Sequence, residues 1–438
     1  MGTSPPTTCL HTSVKRPDPM SINNSLTTNQ VRIALGLTAL LLLGIVLSNT
    51  ILNDPLGFDF SHMYAAGKIL RKGNASMLYD LKEQERVERS FGRDKILIYD
   101  HPPFEAILFE PISKLSYTAA YVLWGAINVL LWLIFLLVLR PYAPVPRKDL
   151  HYFMLCFLFF PLWSALMQGQ MSVLLLVMFS LTFINLERCQ DYRAGIFLGL
   201  GLFKFPVVLA FALIYLFRGK WRLITGFATA ALLLAGLSLI VVGPAGILSY
   251  ARMLADATRE QGKLAYATIK PWDMPTLTGF FLTYLGPYTN PRWIKAAAAI
   301  LGGILLLVTA LFWKRHEKRT HGSSSGLMFA AALTVSLLAT YANPHDLSLM
   351  LIAVLLALGS PQWASGSPWA WVLTAAICIL YVPPVYILLL KHSKMALLFP
   401  VLLSFALAAL FLAADRRLAP QNDNPVQQSP AENASQAR

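Results

Sequence analysis

The sequence predicts an all-α polytopic membrane protein, a bundle of about twelve transmembrane helices with further helices lying along one membrane surface. Three observations predict it. Of 438 residues, 56% are hydrophobic and only 13% charged, against roughly a quarter charged in soluble domains. Mean hydropathy is +0.56, so the apolar residues cannot all fit inside a water-soluble core. These residues also fall in blocks, and the basic residues collect at alternate ends of the blocks.

In chain order, residues 31–50, 117–139, 223–242, 294–313, 327–342, 369–390 and 395–414 are nearly free of charge, and each approaches the roughly 20 residues a spanning helix needs. Shorter apolar blocks follow His151, Met171, Ala194, Pro206 and Asp346, and read as short or broken helices enclosed by the others. Residues 194–217 are expected to form a hairpin of two short helices turning near Lys204 and Pro206, because proline removes a donor and clashes with the preceding turn. Residues 101–115 are expected on the membrane surface, with Glu105 and Glu110 on its wet side and without a chemical role. The first block does not read as a cleaved signal peptide, since a tail of about thirty residues precedes it and no small-residue cleavage pattern follows. The domain reading is a disordered cytoplasmic tail (1–30), one membrane domain (31–415) with outer loops 51–116 and 243–291, and a disordered cytoplasmic tail (416–438).

A net charge of +14 raises nucleic acid as a partner, but the placement of the charges argues against it. Lys15 and Arg16, Arg140 with Arg147 and Lys148, Arg188 with Arg193, Arg218 to Arg222, Lys314 to Arg319, and Arg416 with Arg417 all stand at span ends. Short loops rich in lysine and arginine stay in the cytoplasm. Assigning all of them inside puts both termini in the cytoplasm and both long loops outside. Cys9, Cys156, Cys189 and Cys378 show no pairing or metal-ligand spacing, and no metal or cofactor motif is present.

The polar groups thus gather on one face, above apolar helices. In the first loop, residues 59–70 read as an amphipathic helix for which Asp59 and Ser61 are both plausible N-caps. Capping alone would explain Asp59; a base held at a helix start is the sharper alternative. Lys204 lies within an apolar hairpin, where a cation is expensive unless it meets an anion or water, or snorkels to the interface. Replacing Lys204 by Met should therefore be tolerated by the helices around it. His345 and Asp346 stand at a helix start, Gln168 and Gln170 flank the turn at Gly169, and His101 precedes Pro102. Trp272, Asp273 and Tyr284 line an acceptor groove or merely pack their loop. Asp59, Asp80 and Asp100 are too dispersed for a metal set.

Asp59 early in the first outer loop, the Tyr64-Ala65-Ala66-Gly67 helix, Leu78-Tyr79-Asp80 and Tyr99-Asp100-His101-Pro102-Pro103 come first. Gln168-Gly169-Gln170, the stretch from Ala194-Gly195 to Phe203-Lys204-Phe205-Pro206, and Asn343-Pro344-His345-Asp346 follow in order. Together, over residues 53–358, these resemble glycosyltransferase family 87, a bacterial branch of the GT-C superfamily that includes polyprenol-phosphate-mannose-dependent mannosyltransferases. The chain departs from the pattern at Lys204-Phe205-Pro206, where lysine directly followed by proline is expected, and at His62-Met63, where a bulkier pair is more usual.

The resemblance implies a GT-C-like bundle in a bacterial plasma membrane. It implies transfer of a hexose (mannose-like) or pentose from a polyprenyl-phosphate sugar to a glycan or glycolipid at the outer face, with inversion and no further cofactor. Asp59 is then the base, and Lys204 and His345 meet the donor phosphate. Tyr64, Tyr79, His101, Gln168, Gln170 and Asp346 bind substrate. One carboxylate suffices for such a displacement, because phosphate leaves as an anion and needs positive charge around it rather than a second carboxylic acid. A lipid-linked sugar flippase would instead show charges deep in several spans and repeated halves. A non-catalytic envelope-assembly subunit would keep Asp59 without activity.

Overall fold

A computed structural model describes residues 59–92, 96–142, 149–259, 270–320 and 325–415. The tails 1–30 and 416–438, the first apolar block, and Arg147 and Lys148 lie outside the described residues. All regular structure among the described residues is helical. Helices α1 (Phe60–Arg71), α2 (Leu81–Arg89) and α3 (Pro103–Phe109) precede the first long apolar helix, α4 (Tyr117–Leu139). There follow α5 (Asp149–Phe157), α6 (Phe160–Gln168), α7 (Ser172–Glu187), α8 (Asp191–Leu200), α9 (Phe205–Arg218), α10 (Trp221–Arg259), α11 (Leu277–Leu285) and α12 (Pro291–Thr320). The chain continues with α13 (Ser325–Ala339), α14 (Met350–Leu358), α15 (Pro368–Leu380), α16 (Pro383–Lys391) and α17 (Leu398–Ala414).

Of the expected spans, about twelve in number, fewer are formed among the described residues, which do not include the first apolar block. Among the described residues, four helices are long and apolar enough to cross a bilayer: Tyr117–Tyr142, Trp221–Ala255, Pro291–Glu317 and Met395–Ala414. Counting each bent pair as one span raises the number to six. Block 369–390 breaks before Pro383 and Pro384, so α15 and α16 meet at 64°, as two prolines dictate. The block at 327–342 forms a helix of only 15 residues, about 22 Å long and short of a bilayer's hydrocarbon core. Together with α7 and α14 it is enclosed by neighbouring helices, and almost all of its side chains are buried. A helix sealed in protein has no need to span.

Outward faces are apolar. Leu130 and Leu137 on α4, Leu232, Leu233 and Ile240 on α10, and Ile300 and Ile304 on α12 all point away from the core, which suits hydrocarbon rather than water. Pro244 stands inside α10, and the helix bends at Gly243, whose φ of 67° is open to a residue without Cβ. The second long loop therefore begins as helix.

The hairpin expected around Lys204 is present in outline. α8 and α9 meet at 61° on either side of Gly201 and a 3-10 turn (Leu202–Lys204). Gly226 lies against Tyr192, and Gly199 against Phe227 and Ala230, so α8 and the start of α10 run in the same direction and α9 returns the chain between them. The packing is backbone on backbone: a Cβ on Gly195 would stand 2.0 Å from the Leu223 carbonyl oxygen. Where α9 ends, Arg218 Nη2 bonds Glu317 Oε2 at 2.9 Å and Lys220 pairs with the same carboxylate, tying α9 to α12.

The run 101–115 is not a span. It forms the short α3 and a 3-10 turn (Ile112–Lys114), packed on α1 and held to α10 where the Phe104 N–H donates to Ser238 Oγ at 3.2 Å. One expectation there fails. Glu105 does not face water: it is fully buried, because His101 lies four residues earlier and places an imidazole on its carboxylate.

Candidate active site

Five segments far apart in sequence meet at one end of the bundle. Asp59 occupies the N-cap position of α1 but makes no side-chain capping bond. Its Oδ2 instead accepts a hydrogen bond from Gln170 Nε2 at 2.6 Å, with His345 Nδ1 3.8 Å from the same oxygen. Simple capping therefore does not account for this carboxylate. Gln170 reaches it because Gly169 closes α6 in the left-handed conformation, with φ at 70°. Trp124 Nε1 donates to the Gly169 carbonyl at 2.7 Å and locks that turn.

His345 Nδ1 lies 2.8 Å from Gln168 Oε1, while its Nε2 has no hydrogen-bond partner. Asp346 is held on both oxygens. Oδ2 accepts from the Asn343 N–H at 2.9 Å, completing a capping box. Oδ1 accepts from Ser172 Oγ at 3.2 Å and stands 3.2 Å from Lys204 Nζ. Lys204 thus turns inward rather than snorkelling, and the expectation that its removal is harmless does not hold. Without the cation, Asp346 is left as a buried charge whose nearest remaining cation source is the His345 ring at 3.6 Å, and breaking a buried pair from one side is destabilising.

A second group adjoins the first. His101 Nδ1 lies 2.7 Å from Glu105 Oε2, and its Nε2 lies 3.7 Å from Asp100. Burial works against the His101 cation, but the Glu105 carboxylate outweighs it by charge and hydrogen bond, and with Asp100 it raises the imidazole above its ordinary value. The loop carrying His101 is fastened from below. Tyr79 donates its hydroxyl to the His101 carbonyl at 2.8 Å. Gln84 brackets the strand-like approach, donating to the Leu78 carbonyl at 2.7 Å and accepting from the Tyr99 N–H at 2.9 Å.

The structure therefore brings together Asp59, His101, Gln168, Gln170, Lys204, His345 and Asp346. Tyr79 supports this group through backbone. Tyr64 stands apart, its hydroxyl on the Leu115 carbonyl at 2.7 Å and its ring against Phe91 and Tyr117. Asp80 is an N-cap, accepting from the Glu83 N–H at 2.8 Å. Trp272 and Asp273 form a 3-10 turn (Pro271–Asp273) packed near Met395–Leu397. Sequence reading missed Glu105, Ser172 and His62. The i,i+4 spacing of His101 and Glu105 at a helix start was a usable signal; nothing marked Ser172, which follows only from the meeting of α7 with residues 343–346.

A cleft of about 700 Å³ opens elsewhere, lined by Leu137, Tyr142, Leu181, Arg188, Arg193 and Phe197. It lies along the far half of α7, where its lining from Leu181 to Arg188 stands about 14–24 Å from Ser172 along the helix axis.

Apolar helices with outward apolar faces, capped at one end by carboxylates and cations, define a membrane protein with a polar site at its rim. The family model for glycosyltransferase family 87 matches residues 99–340, more than half of the chain, and the chain belongs to that family. It is accordingly a membrane glycosyltransferase. No curated protein and no solved structure matches the chain. The matched span includes His101, Glu105, Gln168, Gln170 and Lys204, while Asp59, His345 and Asp346 lie outside it.

Proposed function

We propose that this glycosyltransferase moves a hexose or pentose from a polyprenyl-phosphate sugar to a hydroxyl of a glycan or glycolipid at the outer membrane face, with inversion. One observation carries the reading. Four carboxylates lie in or beside the cluster: Asp346 is engaged on both oxygens with its side chain 4% exposed, Glu105 is fully buried on His101, and Asp100 stands at the rim, 59% exposed and 3.7 Å from His101 Nε2. Asp59 is 22% exposed, and its Oδ1 carries no hydrogen bond among the described residues. Of the carboxylates inside the cluster, it is the one with an oxygen free to take a proton, whereas Asp100 stands outside on the rim.

In the reaction the acceptor hydroxyl attacks the anomeric carbon as its proton passes to Asp59. The bond from that carbon to the phosphate oxygen breaks, and its electron pair leaves on the phosphate. Gln170 keeps Oδ2 fixed so that the carboxylate meets the acceptor in one orientation. Asp346 occupies one contact of Lys204, whose ammonium has three donors, so two remain for phosphate oxygens. His101, whose charged form Glu105 favours, and His345 flank the same region and stabilise charge as it grows on the leaving group. Gln168 and Gln170 are placed to hold sugar hydroxyls.

The test uses wild type and the paired variant Lys204→Met/Asp346→Asn in detergent, with a panel of polyprenyl-phosphate sugars and simple glycoside acceptors. Pairing the changes removes the cation without stranding a buried carboxylate, and the introduced amide retains an acceptor oxygen for the Asn343 N–H. Product from wild type, and about 2–3 kcal/mol less transition-state stabilisation in the variant, supports the reading. Equal product removes Lys204 from the site. Absence of product with every donor shifts the assignment toward movement of a lipid-linked sugar.

A further inference from the structure

We propose that His62 is a direct ligand of the donor's phosphate, presenting a ring N–H to it beside His101, Lys204 and His345. This rests on the polyprenyl-phosphate reading and adds to it a residue that the reading does not use.

His62 follows Asp59 by three residues, which places the two on one face at the start of α1. It is 6% exposed, and neither of its ring nitrogens has a hydrogen-bond partner. Its ring centroid is 5.3 Å from that of His101 and 6.0 Å from that of Tyr99. A neutral imidazole carries one N–H in either tautomer, and leaving such a donor buried and unmet costs about 1–3 kcal/mol. Buried polar groups are normally satisfied, so an imidazole idle on both nitrogens beside His101, Lys204 and His345 marks a place for an anion.

The surrounding charges agree. The groups that act electrostatically on His62 are His101, Lys204 and His345, every one a cation or able to become one. Burial, followed by these three, holds the His62 imidazole well below its ordinary value of 6.5, so it meets the donor as a neutral hydrogen-bond donor. Two of the carboxylates nearby are committed elsewhere, Glu105 to His101 and Asp346 to Lys204 and the Asn343 N–H, and among the described residues no hydrogen bond pairs Asp59 with His62. The donor phosphodiester carries one negative charge. When the sugar leaves, the electron pair of the broken carbon–oxygen bond puts a second charge on the phosphate. A hydrogen bond from His62 strengthens as that charge grows, which assists the step itself and not binding alone.

The experiment compares wild type, His62→Phe and His62→Gln as full-length protein in detergent. Binding of polyprenyl phosphate, the product lipid, is measured with inorganic phosphate as a competitor, alongside kcat and the donor KM. Phe keeps the ring packed against Tyr99 and His101 but removes the donor; Gln restores an N–H. The expected result for His62→Phe is on the order of 10- to 100-fold weaker turnover, the scale of one hydrogen bond to a charged group. The fall in kcat should exceed the rise in KM. His62→Gln should recover part of the loss, and thermal stability of His62→Phe should equal or exceed wild type, since an unmet buried donor has gone. Wild-type binding and turnover in His62→Phe would overturn the proposal, as would a loss of stability parallel to the loss of activity with no recovery in Gln. Competition by inorganic phosphate at concentrations similar to the lipid's would show a site for free phosphate and overturn the lipid assignment. If wild type binds no polyprenyl phosphate while remaining folded, the donor reading itself falls and takes this proposal with it.

Discussion

Glu105→Gln probes the least visible part of the site. The carboxylate is fully buried, and one oxygen meets His101 Nδ1 at 2.7 Å while the other has no partner. Glutamine is isosteric and can still accept from Nδ1, so the change removes charge without removing the contact. A hydrogen bond to a charged group contributes about 1.5–3 kcal/mol and a neutral one about 0.5–1.5. The difference, about 1–1.5 kcal/mol, corresponds to roughly one unit in the imidazole's pKa. In wild type that pKa is raised above 6.5. The associated stability is therefore fully present below about pH 6.5 and is lost as pH rises through the raised value. In Glu105→Gln this dependence should flatten, and the alkaline limb of kcat/KM for the donor should move to lower pH by about one unit. The assay is a pair of pH profiles, turnover and thermal unfolding, on both proteins. Superimposable profiles would refute the claim that Glu105 favours the cationic form of His101.

Two further outcomes follow from the architecture. Gly195→Ala places a Cβ 2.0 Å from the Leu223 carbonyl oxygen, so it should cost about 1–3 kcal/mol or more by prising α8 from α10. An unchanged thermal midpoint would contradict the backbone-on-backbone seam that positions the Lys204 turn. With Cys9, Cys156 and Cys378 replaced, Asn74→Cys and the native Cys189 stand at opposite ends of the bundle, and both positions are exposed. An impermeant thiol reagent added to intact cells should label Asn74→Cys and spare Cys189, and labelling of Cys189 would reverse the proposed sidedness.

Much of the site could be read from residue types because the costs of misplacing them are large. A lysine inside an apolar hairpin must find an anion, and Lys204 found Asp346. The break that carries it was visible in Pro206, which the interior of a straight helix does not accommodate. Gln168 and Gln170 flank a glycine that must adopt positive φ, so their divergence toward His345 and Asp59 follows from the turn. Span count was less legible. Hydropathy alone does not separate a helix facing lipid from one sealed among its neighbours, and residues 325–339 and 350–358 are of the second kind. Glu105 was misread for a related reason. Charge usually marks the wet face of a short helix, but a histidine one turn away makes burial tolerable. His62 could not be placed at all without knowing that α1 turns it toward residues from three other segments, at Tyr99 and His101, Lys204 and His345.

The central claim is that Asp59 takes the acceptor's proton. Asp59→Asn keeps the side chain's shape and an oxygen for the Gln170 amide, so the protein should fold and bind the donor as wild type does. Initial rates of sugar transfer from a polyprenyl-phosphate donor, measured in detergent for purified wild type and Asp59→Asn, test the claim directly. The account predicts a loss of about 10²–10⁴-fold in kcat with donor binding preserved. Turnover of the folded variant near the wild-type rate would contradict it.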